Sequence, residues 1–126
     1  MSNLPEDRKY APTHEWCQIE SESTVCVGIT DFAQEQLGDL VYVDLPAVGR
    51  ELKATEVCAV VESVKTASDL HSPVTGTIVA INEAVIDAPE TVNDHPYKTW
   101  LFKIQANDLA EMESLLEASQ YQSQTE

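Results

Sequence analysis

Residues 57–76 read VCAVVESVKTASDLHSPVTG, and this is the most informative stretch of the sequence. It opens with an apolar run, Val57 to Val61, which is short enough to be a buried strand. Polar residues follow, and a second strand rich in β-branched residues is predicted from Val74 to Ile81. Because the chain has to reverse between the two strands, the stretch predicts a β-hairpin over about 57–81 with Lys65 near its tip.

The predicted position of Lys65 gives its side chain three useful properties. An exposed lysine can be reached by a modifying enzyme, and a stiff hairpin gives it a fixed pivot. Its long flexible side chain adds reach. Conversion of the amine to an amide removes a positive charge, and no ion pair is lost if the lysine is solvated. Position alone also fits an ordinary solvated lysine, so a special role has to rest on the residues around it.

Short strands are predicted on both sides of this hairpin. The segments 15–20 and 24–29 are strand-like, with a turn at 21–23 between them. Further strands are predicted at 40–45 and 100–105. Several short strands at close spacing predict a mainly β fold, a small barrel or sandwich.

Brief helices are predicted between the strands. Asp31 is a good N-cap, with Gln34 at the third helical position, and Gly38 is a natural C-terminal stop. A helical turn is predicted from Asp87 to Glu90, around Pro89.

The clearest helix is predicted at the C-terminus, over about 108–120. Asp108 caps it and Glu111 completes a capping box. Its apolar side is formed by Leu109, Met112, Leu115 and Leu116. The polar tail from Gln122 to Glu126 is expected to fray.

Composition limits the classes of function. The 126 residues suffice for one domain, 1–126, and 22 acidic against 7 basic residues give a formal net charge of −15. That charge repels nucleic acid and anionic membranes. It favours partners with basic surfaces, and it equally fits a charge that serves solubility alone. The start, Met1 to Arg8, lacks the apolar core of a secretion signal, which favours a bacterial cytoplasmic protein. A processed organelle form with a restored Met stays an alternative.

The three cysteines are expected as thiols in a reducing compartment. Cys17 and Cys26 fall on strands predicted to be adjacent, and Cys58 falls on the apolar strand of the hairpin. The sequence has no CxxC pair, and no His stands at metal-ligand spacing from a Cys, so no zinc site is expected.

The residues around Lys65 resemble a known attachment site. The strings 62–70 and 72–76 are similar to the lipoyl-attachment hairpin of the glycine cleavage system H protein family. The resemblance continues in order from about Tyr10 to Leu116. It includes the motifs His14-Glu15-Trp16, Val27 to Asp39, Leu45 to Gly49, Asn82-Glu83-Ala84 and Pro89 to Asn93. It implies a barrel-sandwich hybrid fold of the lipoyl and biotinyl carriers, with short helices and a C-terminal helix.

The resemblance implies a carrier without catalytic residues of its own. Lys65 would hold lipoate in amide linkage, and Glu62 and Gly76 would help the lipoylating enzyme recognise the domain. The arm would shuttle among a glycine decarboxylase (P protein), an aminomethyltransferase (T protein) and a dihydrolipoyl dehydrogenase (L protein). It would carry the aminomethyl group of glycine from the first to the second, and the carrier would raise the effective concentration of the arm at each site.

In this family the loaded arm is expected to fold back against the carrier. Acidic groups in such a cleft could bind the cationic amine, and Glu15 and Asp69 are candidates, with His14 nearby in sequence. Glu15 also fits an ordinary surface acid, Glu62 a solvated acid at a strand end, and His14 a packing residue. One departure from the family pattern is the segment 95–100, which is shorter than usual and lacks a glycine.

Other functions remain open at this point. A biotinyl carrier also uses a lysine hairpin, but Val64 and Thr66 stand where that family places methionines. A lipoate or octanoate donor for other lipoyl domains, or a stress-linked relative, would keep the fold and change the circuit. A small hydrolase could be built on Ser63, Ser68, Asp69 and His71, although no nucleophile-elbow pattern supports it.

Overall fold

Two antiparallel sheets form the protein, as seen in a computed structural model that describes residues 5–125. Two short ends lie outside these residues. They are Met1 to Leu4, within the start that was predicted to lack a secretion signal, and Glu126, the last residue of the polar tail. The larger sheet has six strands in the order β1-β2-β3-β9-β8-β5. Their bounds are β1 Lys9–Tyr10, β2 Glu15–Ser21, β3 Thr24–Ile29, β5 Glu51–Leu52, β8 Gly76–Ile81 and β9 Phe102–Ala106.

The smaller sheet carries the lysine hairpin. Its order is β4-β6-β7, with β4 at Leu40–Asp44, β6 at Val57–Ser63 and β7 at Ala67–His71. The second strand of the hairpin is therefore β7, which the sequence analysis assigned to the polar middle. The strand predicted from Val74 starts at Gly76 and lies in the other sheet. Periodicity missed β7 because Leu70 is its only fully buried residue, so the strand lacks an apolar stripe.

Three short helices connect the strands: α1 Asp31–Leu37, α2 Ala84–Asp87 and α3 Glu90–Asp94. The N-cap of α1 is Thr30, one residue before the predicted Asp31. The Thr30 hydroxyl accepts a hydrogen bond from the Ala33 amide and thereby satisfies a free donor of the first turn. Gly38 ends the helix as predicted, with a φ of 85° that favours glycine.

The C-terminal segment differs from the predicted continuous helix over about 108–120. Asp108 does cap a helix, but it is a 3-10 helix, Leu109–Ser114, followed by a separate helix, α4, at Ala118–Thr125. The carboxylate of Glu111 accepts hydrogen bonds from Thr75 instead of completing a capping box. The tail predicted to fray belongs to α4 as far as the structure describes it.

A backbone pairing interrupts this segment. The amide of Leu116 donates to the carbonyl of Tyr10, and the amide of Tyr10 donates to the carbonyl of Leu116. The chain has to be extended there, so a long helix cannot form. Tyr121 of α4 then stacks on Tyr10, with 5.0 Å between the ring centroids, and is fully buried.

The main core lies between the two sheets and is built from their inward-facing Val, Ile and Leu side chains. This arrangement confirms a mainly β fold with short helices and a C-terminal helix. Within residues 5–125, no helix has both the length and the apolar character needed to cross a bilayer.

Gly76 lies where β8 and β9 approach each other closely. It pairs with Ala106 on β9, and a Cβ at this position would collide with the carbonyl oxygen of Gln105. We expect Gly76→Ala to lower the free energy of unfolding by about 1–3 kcal/mol, because backbone has to move to make room. Urea titration followed by tryptophan fluorescence measures the change.

Gly49→Ala is the companion variant, since Gly49 has open space but a φ of 95°. Any decrease in the free energy of unfolding of Gly49→Ala therefore measures backbone strain without a steric clash. A Gly76→Ala protein as stable as the native chain would show that β8 and β9 are not this closely packed.

Candidate functional site

The turn at Lys65 is closed by hydrogen bonds at its two ends. The amide of Ser63 donates to the carbonyl of Thr66 at 2.7 Å. The Ser63 hydroxyl accepts from the amides of Lys65 and Thr66, at 3.2 and 3.1 Å. Neither Val64 nor Lys65 has a positive φ, so β-branched Val64 fits without strain. The backbone that carries Lys65 is thereby held in one conformation.

A further contact joins this turn to the end of α1. The amide of Val64 donates to the carbonyl of Asp39 at 3.1 Å. The exposed Lys65 side chain crosses Gly38, since a Cβ there would lie 3.1 Å from Cε and 3.7 Å from Nζ. The lysine stem therefore runs over the C-terminal end of α1 and its amine stays accessible.

A cavity of about 400 Å³ begins beside the lysine. The residues that follow Lys65 on the hairpin form one wall and α1 forms another. Its apolar surface comes from Ile29, Phe32, Ala33, Leu37, Ala67 and Leu70. Its polar groups come from Thr13, His14, Gln36, Thr66 and Ser68. An apolar arm with a polar end group fits such a lining.

His14 contributes an aromatic wall to this cavity. Its ring lies 4.9 Å from that of Phe32, centroid to centroid, and its Nδ1 lies 2.6 Å from the hydroxyl of Tyr121. Burial lowers the pKa of His14, which favours the neutral imidazole. The residue has a φ of 79°, a left-handed conformation that is uncommon for histidine. His14 therefore lines the cavity as a neutral ring that is held in place by its contact with Tyr121.

The group behind His14 is the hydroxyl of Tyr121. This hydroxyl also lies 2.7 Å from the hydroxyl of Thr30, the N-cap of α1. Burial raises the pKa of Tyr121 to about 12, so it stays a neutral donor. Helix α4 thus ties together the His14 loop and the start of α1, two of the walls of the cavity.

Glu15 lies behind the cavity wall and is 1% exposed. Its Oε2 accepts from the His71 amide at 2.8 Å, and its Oε1 accepts from the Thr13 hydroxyl. Burial is the main cause that raises the pKa of Glu15 above its ordinary value. Glu15 joins β2 to the end of β7; it is not among the residues that line the cavity, whereas its hydrogen-bond partner Thr13 is. The reading of Glu15 as an ordinary surface acid is wrong.

The other predicted site residues lie in different places. Asp69 is exposed on β7, and the cavity is lined by its neighbours Ser68 and Leu70. Glu62 is exposed at the end of β6, opposite Ala67. Gly76 is buried in the larger sheet. The structure thus brings His14 to the cavity beside Lys65, keeps Glu62 on the same hairpin, and places Gly76 elsewhere.

Sequence reasoning missed several residues of the cavity. Thr13 adjoins the His-Glu-Trp motif, and Phe32 lies in the α1 motif, so the motifs themselves could have indicated them. Tyr121 carries no local signal, because it reaches His14 from 107 residues away.

The shortened segment 95–100 packs against the start of α1. The Tyr97 hydroxyl accepts from the Asp31 amide at 3.1 Å, and the Pro96 carbonyl accepts from the Trp16 indole at 2.9 Å. Arg8 lies over the Trp16 ring and donates to the Tyr97 carbonyl. This segment is therefore fixed without a glycine.

The cysteines are buried thiols. Cys26 pairs with Gln18 in the β2–β3 register and Cys17 pairs with Val27, so the two cysteines are offset from each other. Burial raises the pKa of Cys26 to about 11 and those of Cys17 and Cys58 to about 12. At neutral pH these groups are unreactive fillers of the interior.

Comparison with known proteins agrees with this geometry. The family model described as "Glycine cleavage H-protein" matches residues 8–126. The chain belongs to this family. A glycine cleavage system H protein of Methylococcus capsulatus is 60% identical over 121 residues, which cover 96% of this chain and 95% of that protein. One from Escherichia coli is 54% identical over 123 residues, 97% of this chain and 95% of that protein.

The glycine cleavage H-protein fold is also seen in a solved structure. A crystal structure of a glycine cleavage system H protein from Mycobacterium marinum superposes with a TM-score of 0.88 at 44% identity. The match covers 96% of this chain and 98% of that one. The predicted family and fold class are both confirmed.

The buried carboxyl of Glu15 generates a prediction about pH. Because its pKa is raised above 4.5 in the folded protein, its neutral form stabilises the fold fully below about pH 4.5. This contribution is lost as the pH rises through the folded-state pKa. Glu15→Gln stays neutral and retains an acceptor for His71 and a donor for Thr13. The native chain loses this stability as the pH rises and the variant does not. We therefore expect the free energy of unfolding of Glu15→Gln, minus that of the native chain, to increase between about pH 4 and pH 7.

Urea titrations of both proteins across this range measure the difference. Glu51→Gln, a change at an exposed carboxylate on β5, is the control. A difference between Glu15→Gln and the native chain that is constant with pH would contradict the raised pKa.

Proposed function

We propose that this chain, taken as one domain over residues 1–126, is the lipoyl carrier of a glycine cleavage system, with lipoate in amide linkage to Lys65. Membership in the H-protein family supports the role. The observation that carries the choice of residue is the turn at Lys65, which is exposed, closed by hydrogen bonds and next to the cavity. When attached, lipoate supplies a disulfide that accepts a one-carbon unit and two electrons.

The residues of the chain have to pivot, shelter and release the arm. The closed turn supplies the pivot, because its backbone is fixed while the side chain of Lys65 is free. The cavity starts at Thr66, directly after the pivot, so an arm can fold back along β7. Its apolar surface can cover the hydrocarbon part of the arm, which keeps water from the cargo.

The amine of an aminomethyl cargo needs a polar end to the cavity. Neutral His14 and the hydroxyl of Thr13 are the groups that the lining offers there, with Glu15 behind Thr13. We propose that Glu15 acts through this hydroxyl and that Asp69 attracts the cation from the exposed side of β7.

Recognition by the lipoylating enzyme is assigned to Glu62 and Gly76. Glu62 is exposed three residues before the lysine and can be contacted directly. Gly76 is buried, so it acts by allowing β8 and β9 to approach each other.

The chemistry belongs to the partners. We propose that a glycine decarboxylase, an aminomethyltransferase and a dihydrolipoyl dehydrogenase act in turn on the arm, and that the chain is a carrier without catalysis of its own. The bacterial relatives support the same role in a bacterial cytoplasm.

Modification of Lys65 is the direct test. The purified chain is incubated with a lipoate–protein ligase, lipoate and ATP, and its intact mass is measured. We expect one lipoyl-amide increment, lost in Lys65→Arg and kept in Lys53→Arg, a change at another exposed lysine. The loaded chain should then support glycine-dependent NAD⁺ reduction with the three partner enzymes and tetrahydrofolate. An increment that survives in Lys65→Arg, or a loaded chain that the partners ignore, would falsify the proposal.

The polar end of the cavity is tested by the lifetime of the loaded protein. Glu15→Gln and Asp69→Asn should each release the aminomethyl cargo several-fold faster, because a negative charge near the amine is removed. Release of formaldehyde and ammonia over time measures the lifetime. Asp44→Asn, on the exposed face of β4, is the matched control. Lifetimes equal to that of the control in both variants would remove these residues from the site.

A further inference from the structure

Asn93 is the penultimate residue of α3 and makes three hydrogen bonds that the proposed function does not use. Its Oδ1 accepts from the amide of Leu40 at 2.9 Å. Its Nδ2 donates to the carbonyl of Gly38 and to the side-chain oxygen of Gln34, each at 2.9 Å. These partners lie 53 to 59 residues away in sequence. One side chain therefore joins α3 to the end of α1 and the start of β4.

The segment that Asn93 holds is the link from α1 to β4. Gly38 has a φ of 85° and ends the helix, while Leu40 opens β4 in register with Ser63. The Gly38 carbonyl and the Leu40 amide, on either side of Asp39, are thus both bonded to the side chain of Asn93. The carbonyl of Asp39 between them has its position set by these bonds.

That carbonyl is the acceptor for the turn of Lys65. It receives the hydrogen bond from the Val64 amide, and the neighbouring Gly38 is the residue that the lysine stem crosses. The contacts therefore form an unbroken series: Asn93, the segment 38–40, then the backbone and side chain of the turn. The hydrogen bonds of Asn93 that the described residues show therefore connect it to the hairpin through this segment.

An asparagine suits this position because the three partners differ in kind. One partner is a donor and two are acceptors, and a primary amide supplies one acceptor and two donors. An aspartate of the same shape would keep the bond to Leu40 and lose both donors. It would also set a carboxylate oxygen against the Gly38 carbonyl.

We propose that Asn93 is a positioning residue for the modification of Lys65, because it fixes the 38–40 segment that holds the turn in the form the lipoylating enzyme binds. The inference rests on the proposed function. Loosening the segment lowers the fraction of the chain in that form, and the apparent affinity of an enzyme for its target falls by the same fraction. Loss of the Asn93 hydrogen bonds should therefore raise KM for lipoylation and leave kcat unchanged.

The test compares Asn93→Asp with Asn82→Asp. Asn82 is the matched control, since its amide also bonds backbone groups, those of Trp100 and Ala84, on a different part of the chain. Lipoylation kinetics are measured with a lipoate–protein ligase, and amide hydrogen exchange is followed residue by residue. We expect Asn93→Asp to raise KM for the chain about tenfold at similar kcat. It should also speed exchange at the Val64 amide by a similar factor, whereas the amides of β3 and β9 keep their protection.

A second pair of variants tests the same link without altering α3. Val64→Pro removes the N–H that bonds Asp39, at a turn position that favours proline. Val64→Ala shortens the side chain and keeps this N–H. We expect the KM of Val64→Pro to exceed that of Val64→Ala by about tenfold.

The outcomes separate this inference from the proposed function. An unmodified native chain would overturn the proposed function. A modified native chain with unchanged KM in Asn93→Asp and Val64→Pro would overturn only the role of Asn93. Faster exchange across all strands in Asn93→Asp would also overturn it, because Asn93 would then be a general stabilising residue.

Discussion

The closed turn between β6 and β7 is the interaction on which the rest of the site depends. A carrier lysine has to be accessible and its backbone has to be immobile, and these demands conflict at a hairpin tip, where few neighbours pack. Ser63 resolves the conflict by using its hydroxyl as a local acceptor for two turn amides. The remaining turn amide, that of Val64, is bonded by the α1–β4 link. Each amide from Ser63 to Thr66 thereby has a hydrogen-bond partner, while the exposed lysine side chain lies over Gly38.

The walls of the cavity are fixed by polar groups that the fold buries. Glu15 holds the ends of β2 and β7, and Tyr121 holds the His14 loop to the start of α1. Each of these buried groups has its hydrogen bonds satisfied, which makes its burial tolerable. The same burial shifts the pKa of Glu15 upward and that of His14 downward, toward neutral forms. Both groups are therefore harder to ionise in the folded protein than in an unfolded chain.

Much of this was predictable from short stretches. Strand β3 is rich in β-branched residues, β2 precedes it across a short polar turn, and α1 ends at Gly38, so all three elements were found within a residue or two. The errors came where distant contacts override local patterns. The segment 108–120 has helical periodicity, yet Leu116 pairs with Tyr10 and breaks it into two helices. Strand β7 has almost no apolar pattern and exists because β6 offers it a ladder of partners.

Local sequence patterns predicted the family, the buried strand β6 and an exposed Lys65 at a chain reversal, because each depends on motifs of a few consecutive residues. Long-range packing had to be seen to know that Glu15 is buried, that Asp69 lies outside the cavity lining, and that the Tyr121 hydroxyl contacts His14. The same packing joins Asn93 by hydrogen bonds to Gly38 and Leu40, on either side of the residue that accepts from the Val64 amide. The reason is physical: burial and hydrogen-bond partners across 50 to 100 residues are set by how the sheets and helices pack, and no local pattern encodes that packing.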